Sequence, residues 1–322
     1  MDDAMIDLSI AIVSYNTKDL LLDCLRSLHA HTPGIRFDVI VVDNDSRDGT
    51  TSALRNTYPA ITIIANQDNR GFAKAVNQAG AVSRGRHLLL LNSDTLVRDQ
   101  ALTTMVRYLD EHPDVGAVSG KQWTGEGHLN QTCFPFPSIR DHLFYSALFH
   151  RVAPSMQAAA ASAQAVDCTI SQDVDWANGA CLMVRRSLFE QLGGLDESFF
   201  MYFEDADLCR RLHHEGYRVR HLAEAAIVHL IGRSSGRDRD FLQRVWEFSR
   251  IRYVEKHFSP VKRWLMKGWI AVGIGWRLAR SLGCAPETRR LKIQSGVAVM
   301  RRLWSAPQPV EQVPAHSSAP HR

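Results

Sequence analysis

Leu88–Thr95, LLLLNSDT, places a run of four leucines directly before Asn92-Ser93-Asp94. A buried strand ending on a carboxylate is how open α/β sheets hold a metal or ligand group in the crevice at the strand tips. Asp94 suits Mg²⁺ or Mn²⁺, which take hard oxygen ligands, often one or two carboxylates plus phosphate oxygens and water. A helix-capping aspartate would look the same in isolation.

Four more clusters carry chemistry. VSYN (Val13–Asn16) and VVDNDSRDGT (Val41–Thr50) end two strands on Tyr15 and Asp43. An aromatic ring can stack on a nucleobase while a carboxylate accepts from a ring N–H or ribose hydroxyls, although Asp-Asn-Asp-Ser is also ordinary turn chemistry. In DNRGFAKAVNQAG (Asp68–Gly80), Gly71 permits positive φ or close backbone approach. The helix opening there aims N–H groups at an anion, or simply caps itself. GxGxxG and GKS/T are lacking, which argues against a dinucleotide or P-loop site.

The sharpest cluster is Gly193–Tyr217, GGLDESFFMYFEDADLCRRLHHEGY. Glu204 and Asp205 follow the aromatic patch Phe199–Phe203, a setting that raises the pKa of one carboxyl, as a general base requires. The plainer alternative is acids complementing a helix dipole. Last, His229 ends the apolar run in AEAAIVHLIGRSSG. It is either a satisfied core histidine or a neutral metal ligand. Arg233 or Arg237 of the following loop could close over phosphates.

The elements that position these residues follow from periodicity. Short apolar strands at Leu8–Val13, Phe37–Val42, Ile61–Ala65 and His87–Leu91 alternate with helices over Lys18–His29, Thr50–Tyr58 and Phe72–Ala81. That alternation predicts βαβ units, a mainly parallel sheet, and crossovers bringing Tyr15, Asp43 and Asp94 to one edge. Beyond Asp110 regularity falls: a glycine turn at 124–127, a break at Pro135–Pro137, and an alanine-rich surface stretch at Met156–Ala165. Order returns with a strand over Val174–Arg185 and helices over Asp205–Glu215 and Arg239–His257. The polar tail from Gln308 is expected to be disordered.

With 322 residues, 45% hydrophobic and 22% charged, the chain can bury one large core or two modest ones. Its six cysteines form no CxxC pair and read as reduced core residues of a cytosolic protein. The acidic start runs straight into a strand, so no signal peptide is expected. Residues 259–304 hold ten Lys or Arg against one acid, Glu287, a local +9 that leaves −5 for residues 1–258. That asymmetry suggests an anionic surface as partner. The uncharged run Gly268–Trp276 is too short to span a bilayer. Leu265, Trp269, Val272 and Trp276 share one helical face flanked by Lys262, Arg263, Lys267, Arg277 and Arg280. Such a helix suits the headgroup region of a membrane, or packs against the catalytic body or a partner subunit. Aliphatics interleave with the aromatics and no nucleic-acid motif is present, so nucleic acid is not an expected partner.

In order and spacing, VSYN, VVDNDSRDGT, NRGFAKAVNQ, LLLNSDT, WANGACLMVRR and FFMYFEDADLCRR resemble family 2 glycosyltransferases of the GT-A fold, nearest to bacterial rhamnosyltransferases of cell-wall and O-antigen assembly. The resemblance implies an α/β, Rossmann-like catalytic domain over residues 1–257, with a nucleotide half to about residue 120 and an acceptor half over 121–257. A basic helical membrane-associating extension (258–304) and a disordered tail (305–322) would follow. It implies a nucleotide-sugar donor, a divalent metal and inversion at the anomeric carbon. Tyr15, Asp43, Gly71 and Ser93 match nucleotide contacts, Asp94 the acid of the DXD motif, and His229 a late metal-binding histidine. Asp205 matches the base that deprotonates the acceptor, with Glu204 beside it. Trp176, Asn178 and Gly179 fall at the sugar or acceptor pocket, or are core strand. Only the last position of Asn92-Ser93-Asp94 is acidic, which shifts metal binding toward His229, phosphate and water. The expectation is transfer of L-rhamnose from dTDP-L-rhamnose to a lipid-linked or nascent glycan, at the cytoplasmic face of a bacterial inner membrane. The alternatives are hexosyl or galactofuranosyl transfer from a UDP-sugar, or a non-catalytic nucleotide-sugar-binding scaffold. Intact Asp94, Glu204, Asp205 and His229 argue against the scaffold.

Overall fold

The computed structural model describes residues 5–139, 166–230, 239–283 and 285–305. The Arg233/Arg237 loop, the alanine-rich stretch 156–165, Cys284 and the tail from Gln308 lie outside the described residues. Strands β1 (Leu8–Ser14), β2 (Phe37–Asn44), β3 (Thr62–Asn66) and β4 (His87–Asn92) are joined by α1 (Lys18–His31), α2 (Thr50–Thr57) and α3 (Phe72–Val82). They form a parallel sheet in the order β3-β2-β1-β4. Both faces of this sheet are covered, which is why its strands are apolar at consecutive positions. Leu8, Ile10, Ile12, Leu89 and Leu91 pack on one side with Leu21, Leu25 and Leu28 of α1. Ala11, Leu88 and Leu90 pack on the other with Ala73, Val76 and Ala79 of α3.

The chain moves outward from β1 through β2 to β3, then returns to β4 on the opposite side of β1. A sheet of this kind opens a crevice where its winding reverses, beyond the carboxyl ends of the strands. Ser14 is level with Asp43, and Val13 with Asn92. The tips expected to share one edge therefore do so.

The second half is less regular. The short β5 (Thr95–Val97) and α4 (Ala101–Glu111) lead into β6 (Val115–Thr124). This buried ten-residue strand falls in the region where the sequence pattern had become irregular. After β7 (Leu129–Asn130) and β8 (Cys133–Phe134), the expected strand over Val174–Arg185 is three pieces: β9 (Gln172–Val174), β10 (Trp176–Ala177) and β11 (Cys181–Arg185). The breaks fall at Asp175 and at Asn178–Ala180, where the backbone leaves the large sheet to serve the site. β11 runs antiparallel between β4 and β6. Then come α5 (Arg186–Gln191), α6 (Glu204–His214) and β12 (Arg218–His229), which pairs in parallel with β6 and antiparallel with β5.

Three helices complete the described chain: α7 (Arg239–His257), α8 (Pro260–Ser281) and α9 (Pro286–Trp304). Ile251 of α7, Ile270 and Ile274 of α8, and Val299 and Leu303 of α9 form their common core. Met266 of α8 and Tyr253 of α7 join Phe199 and Ala206 in another cluster, which docks the bundle on the α/β body. The apolar face expected on α8 is not the one that packs within the bundle. The packed positions are Met266, Ile270 and Ile274, while Leu265, Val272 and Trp276 are exposed. Lys267 and Arg277 are not a free basic flank either: they pair with Glu255 and Glu247 of α7.

Candidate active site

Three loops meet at the crevice beyond β1, β2 and β4. Thr17 begins α1 but makes no side-chain cap. Its hydroxyl donates to Ser93 Oγ at 3.0 Å and lies 3.0 Å from Ser14 Oγ, tying the β1 tip to the β4 tip. Asp48 accepts from the N–H groups of Lys18 and Thr50, so one carboxylate serves the starts of α1 and α2. Tyr15 stands 39% exposed at the mouth. Asp43 is buried; its Oδ2 accepts from Ser46 N–H and the Thr51 hydroxyl, while Oδ1 has no hydrogen-bond partner. A buried acceptor left open at a strand tip is a position for a ligand N–H.

Gly71 has φ +81° and ψ 174°, a conformation closed to residues with a Cβ. A Cβ there would fall 2.4 Å from the Phe200 carbonyl oxygen. Phe72 N–H, the first of α3, donates to that carbonyl at 2.6 Å. The helix start thus clamps the aromatic loop before α6, a use of its N–H group other than the anion contact expected of it.

Asp94 and His229 come together from separate strands. His229 Nε2 lies 3.2 Å from Asp94 Oδ1, and Asp94 is buried. His229 Nδ1 is 3.3 Å from Gln122 Oε1, and the Gln122 amide nitrogen donates to Asn178 Oδ1 at 2.8 Å. With that amide donating to Asn178, its oxygen is left to accept from Nδ1–H, which turns the Nε2 lone pair toward Asp94. Two donors bound cis on an octahedral Mg²⁺ or Mn²⁺, at about 2.0–2.1 Å each, sit roughly 3 Å apart. The observed 3.2 Å and the O/N chemistry of the pair fit such an ion.

The acidic residues of α6 divide by environment. Tyr202 and Phe203 both have positive φ, +73° and +69°, a strained pair that turns the chain sharply into α6. α7 braces this loop, with Ser249 Oγ donating to Met201 O at 2.7 Å. Asp205 Oδ2 accepts from Gly179 N–H at 2.9 Å and Oδ1 from Ala206 N–H at 2.8 Å. Burial raises its pKa, and these two N–H groups pull it back toward the anion. Glu204 is buried, and its Oε2 has no hydrogen-bond partner. Burial, then the Asp205 charge, pushes its pKa well above the usual carboxylate range. Both shifts favour the protonated form, more strongly for Glu204, while the two backbone N–H groups support the Asp205 anion. Asp207 is structural. Burial works to raise its pKa, but His257, Arg211 and Lys256 outweigh that and lower it.

A continuous path joins the two acidic centres. Asp205 binds Gly179 N–H, the preceding Asn178 binds Gln122, Gln122 reaches His229, and His229 faces Asp94. Asn178 N–H also donates to Thr132 O. The structure thus brings together Asp94, His229, Asn178, Gly179 and Asp205, with Ser93, Asp43 and Tyr15 along the crevice. Trp176 turns away: its indole N–H donates to Pro135 O at 2.9 Å and its ring stacks on Phe134 at 4.6 Å. Gln122, buried on β6, was missed by sequence reasoning, because a lone glutamine in an irregular stretch carries no local signal.

This geometry has relatives. The model for "Glycosyl transferase family 2" matches residues 9–193. An N-acetylglucosaminyl-diphospho-decaprenol L-rhamnosyltransferase of Mycobacterium tuberculosis is 26% identical over 304 residues, 90% of this chain and 98% of its own length. A hexosyltransferase of low-salt glycan biosynthesis from Haloferax volcanii, Agl10, is 26% identical over 69% of this chain and 67% of its own. Among solved structures, the mannosyltransferase PcManGT of Pyrobaculum calidifontis, in complex with GDP-Man and Mn²⁺, superposes with a TM-score of 0.55 at 19% identity, covering 94% of this chain and 86% of that one. S. aureus TarS 1–349 in complex with UDP-GlcNAc superposes at 0.54 with 14% identity, covering 92% and 82%. These structural likenesses identify the GT-A architecture, and the family match, spanning more than half of the sequence, shows that the chain belongs to glycosyl transferase family 2.

Proposed function

We propose that this glycosyltransferase moves L-rhamnose from dTDP-L-rhamnose, with inversion, to an acceptor carried on a polyprenyl diphosphate. The single observation that carries the site assignment is the unbroken path from Asp94–His229 through Gln122, Asn178 and Gly179 to Asp205. In this reading the nucleobase lies against Tyr15 and its ring N–H meets Asp43 Oδ1. The diphosphate sits over Asp94 and His229. A Mg²⁺ or Mn²⁺ ion held there would neutralise the charge gathering on the leaving group. Asp205, held as an anion by two backbone N–H groups, takes the proton of the acceptor hydroxyl. The acceptor oxygen then bonds to C1 on the face opposite the departing diphosphate. Glu204, its pKa raised by burial and by the Asp205 charge, resists placing a second negative charge beside that step.

Support for rhamnose and for a polyprenyl-linked acceptor comes from the mycobacterial relative, whose match spans nine-tenths of this chain and so extends beyond the family model into the helical extension. Support for a membrane surface comes from Val261, Trp264, Leu265, Val272 and Trp276, an exposed apolar row on α8 with Lys262 and Arg280 exposed nearby. Among the described residues, no helix is long and apolar enough to cross a membrane.

The test is a thermal-shift screen of nucleotide-sugars with and without Mn²⁺, followed by transfer assays. dTDP-L-rhamnose with Mn²⁺ is expected to protect most; stronger protection by a UDP-sugar overturns the donor assignment. Asp205→Asn should lower kcat by about 10²–10⁴-fold while donor binding persists. Undiminished turnover in that variant would remove Asp205 from the base role.

A further inference from the structure

Of the five cysteines described, Cys24, Cys181 and Cys209 have thiols that burial pushes up to about 12, the behaviour of inert core residues. Cys133 and Cys168 are placed differently. Their sulfurs and a ring nitrogen of His221 lie within 4.8 Å of one another, and all three side chains are buried. They come from three separate segments: β8, the strap leading to β9, and β12. Thr132 Oγ1 sits beside both sulfurs, 3.5 Å from Cys133 and 3.8 Å from Cys168. His221 Nε2 is 3.0 Å from the Cys168 carbonyl oxygen, which can only accept, so Nε2 carries the proton and Nδ1 keeps its lone pair, with the Ser119 hydroxyl 3.4 Å away as the neighbour an ion would displace. A backbone carbonyl holding one ring N–H while the other nitrogen ligates is the usual support of a metal-bound histidine.

We propose that Cys133, Cys168 and His221 form a closed structural site for a soft divalent cation, Zn²⁺ by its chemistry, separate from the diphosphate site. Two thiolates and an imidazole are the donor set that selects zinc over the harder cations suited to phosphate. Zn–S near 2.3 Å and Zn–N near 2.0–2.1 Å put donors roughly 3.4–3.8 Å apart, so the cluster closes on an ion by contracting about 1 Å. Thr132 Oγ1 or a water completes the tetrahedron. Binding releases the two thiol protons to solvent. His221 is level with Ser119 and His229 with Thr124, five residues along β6, so this cluster lies on the order of 16 Å from the Asp94–His229 pair.

The consequence is mechanical. Cys133 is level with Ala177 in the β8–β10 pair, directly before Asn178 and Gly179. The ion clamps the strap before β9 and the β8–β10 pair to β12, and so fixes the two residues that reach Gln122 and Asp205.

The test is made on the full chain, with metal content and spectra as readouts. One zinc per chain is expected after purification. Replacement by Co²⁺ should give thiolate-to-cobalt charge-transfer absorption that is lost in Cys168→Ser and His221→Asn and kept in Asp94→Asn. A strong chelator should lower Tm, and Zn²⁺ but not Mn²⁺ should restore it. Absence of stoichiometric zinc and of the cobalt band in the wild type overturns the proposal. So does a thiol count under denaturing conditions showing that Cys133 and Cys168 are joined in a disulfide. Neither result would touch the transferase assignment.

Discussion

Gln122→Leu isolates the link between the Asp94–His229 pair and the Asn178–Asp205 side of the site. Leucine nearly matches glutamine in volume, so little cavity opens, but its two closest polar partners, His229 Nδ1–H and Asn178 Oδ1, are orphaned, and a longer contact from Asn130 Nδ2 at 3.5 Å is lost. A buried polar group left unpaired costs about 1–3 kcal/mol. Two such groups beside a crevice that admits some water cost about 2–4 kcal/mol in total. For a chain of 322 residues that is a fall in Tm of roughly 3–6 °C. Function should suffer separately. Without its acceptor, Nδ1–H no longer fixes the ring tautomer, and loss of such support lowers metal affinity about 10–100-fold. The assay is a Mn²⁺ titration with dTDP present, followed by thermal shift and by kcat/KM. The apparent Mn²⁺ affinity is expected to fall in that range, with much of kcat/KM regained at saturating Mn²⁺. A variant that loses stability but binds Mn²⁺ as well as the wild type would refute the role given to Gln122.

Three further outcomes follow from the structure. The folded pKa of Glu204 lies above its unfolded value, so the associated stability is fully present below about pH 4.3 and is lost as pH rises through the folded pKa. Glu204→Gln should therefore raise Tm at pH 8 and leave it unchanged near pH 4; equal Tm values at pH 8 would contradict the buried-proton assignment. Gly71→Ala must adopt a conformation closed to alanine and drive a Cβ into the Phe200 carbonyl, so urea denaturation should show a loss of about 3 kcal/mol or more. A loss below about 1 kcal/mol would mean the two loops are not clamped there. Leu265→Glu with Val272→Glu, on the exposed row of α8, should abolish flotation with anionic vesicles while leaving stability within about 0.5 kcal/mol per site; undiminished flotation would move the membrane contact elsewhere.

The first half, β1 through β4, was legible in the sequence because its cause is local. Buried parallel strands must be apolar at consecutive positions, and each apolar run here stops at a polar tip: Tyr15 after β1, Asp43 at the end of β2, Asp94 after β4. Periodicity of this kind survives without tertiary information, and so did the order of the motifs. The second half obeyed other constraints. β6 and β12 are partners separated by about a hundred residues, and β9, β10 and β11 are too short to carry a pattern.

The sequence alone sufficed to name the acids of α6 and to mark the aromatic patch before them, since composition and spacing are properties of the chain. Only tertiary structure could assign different states to Glu204, Asp205 and Asp207. Their pKa values depend on what lies opposite: nothing for Glu204 Oε2, the Gly179 N–H for Asp205, and Lys256 and His257 for Asp207. Those partners are far along the chain, and charge and hydrogen bonding fall off with distance in space, whatever the separation in sequence. The same reason hid Gln122, which means nothing on its own strand and becomes the bridge between His229 and Asn178 once β6, β10 and β12 are assembled.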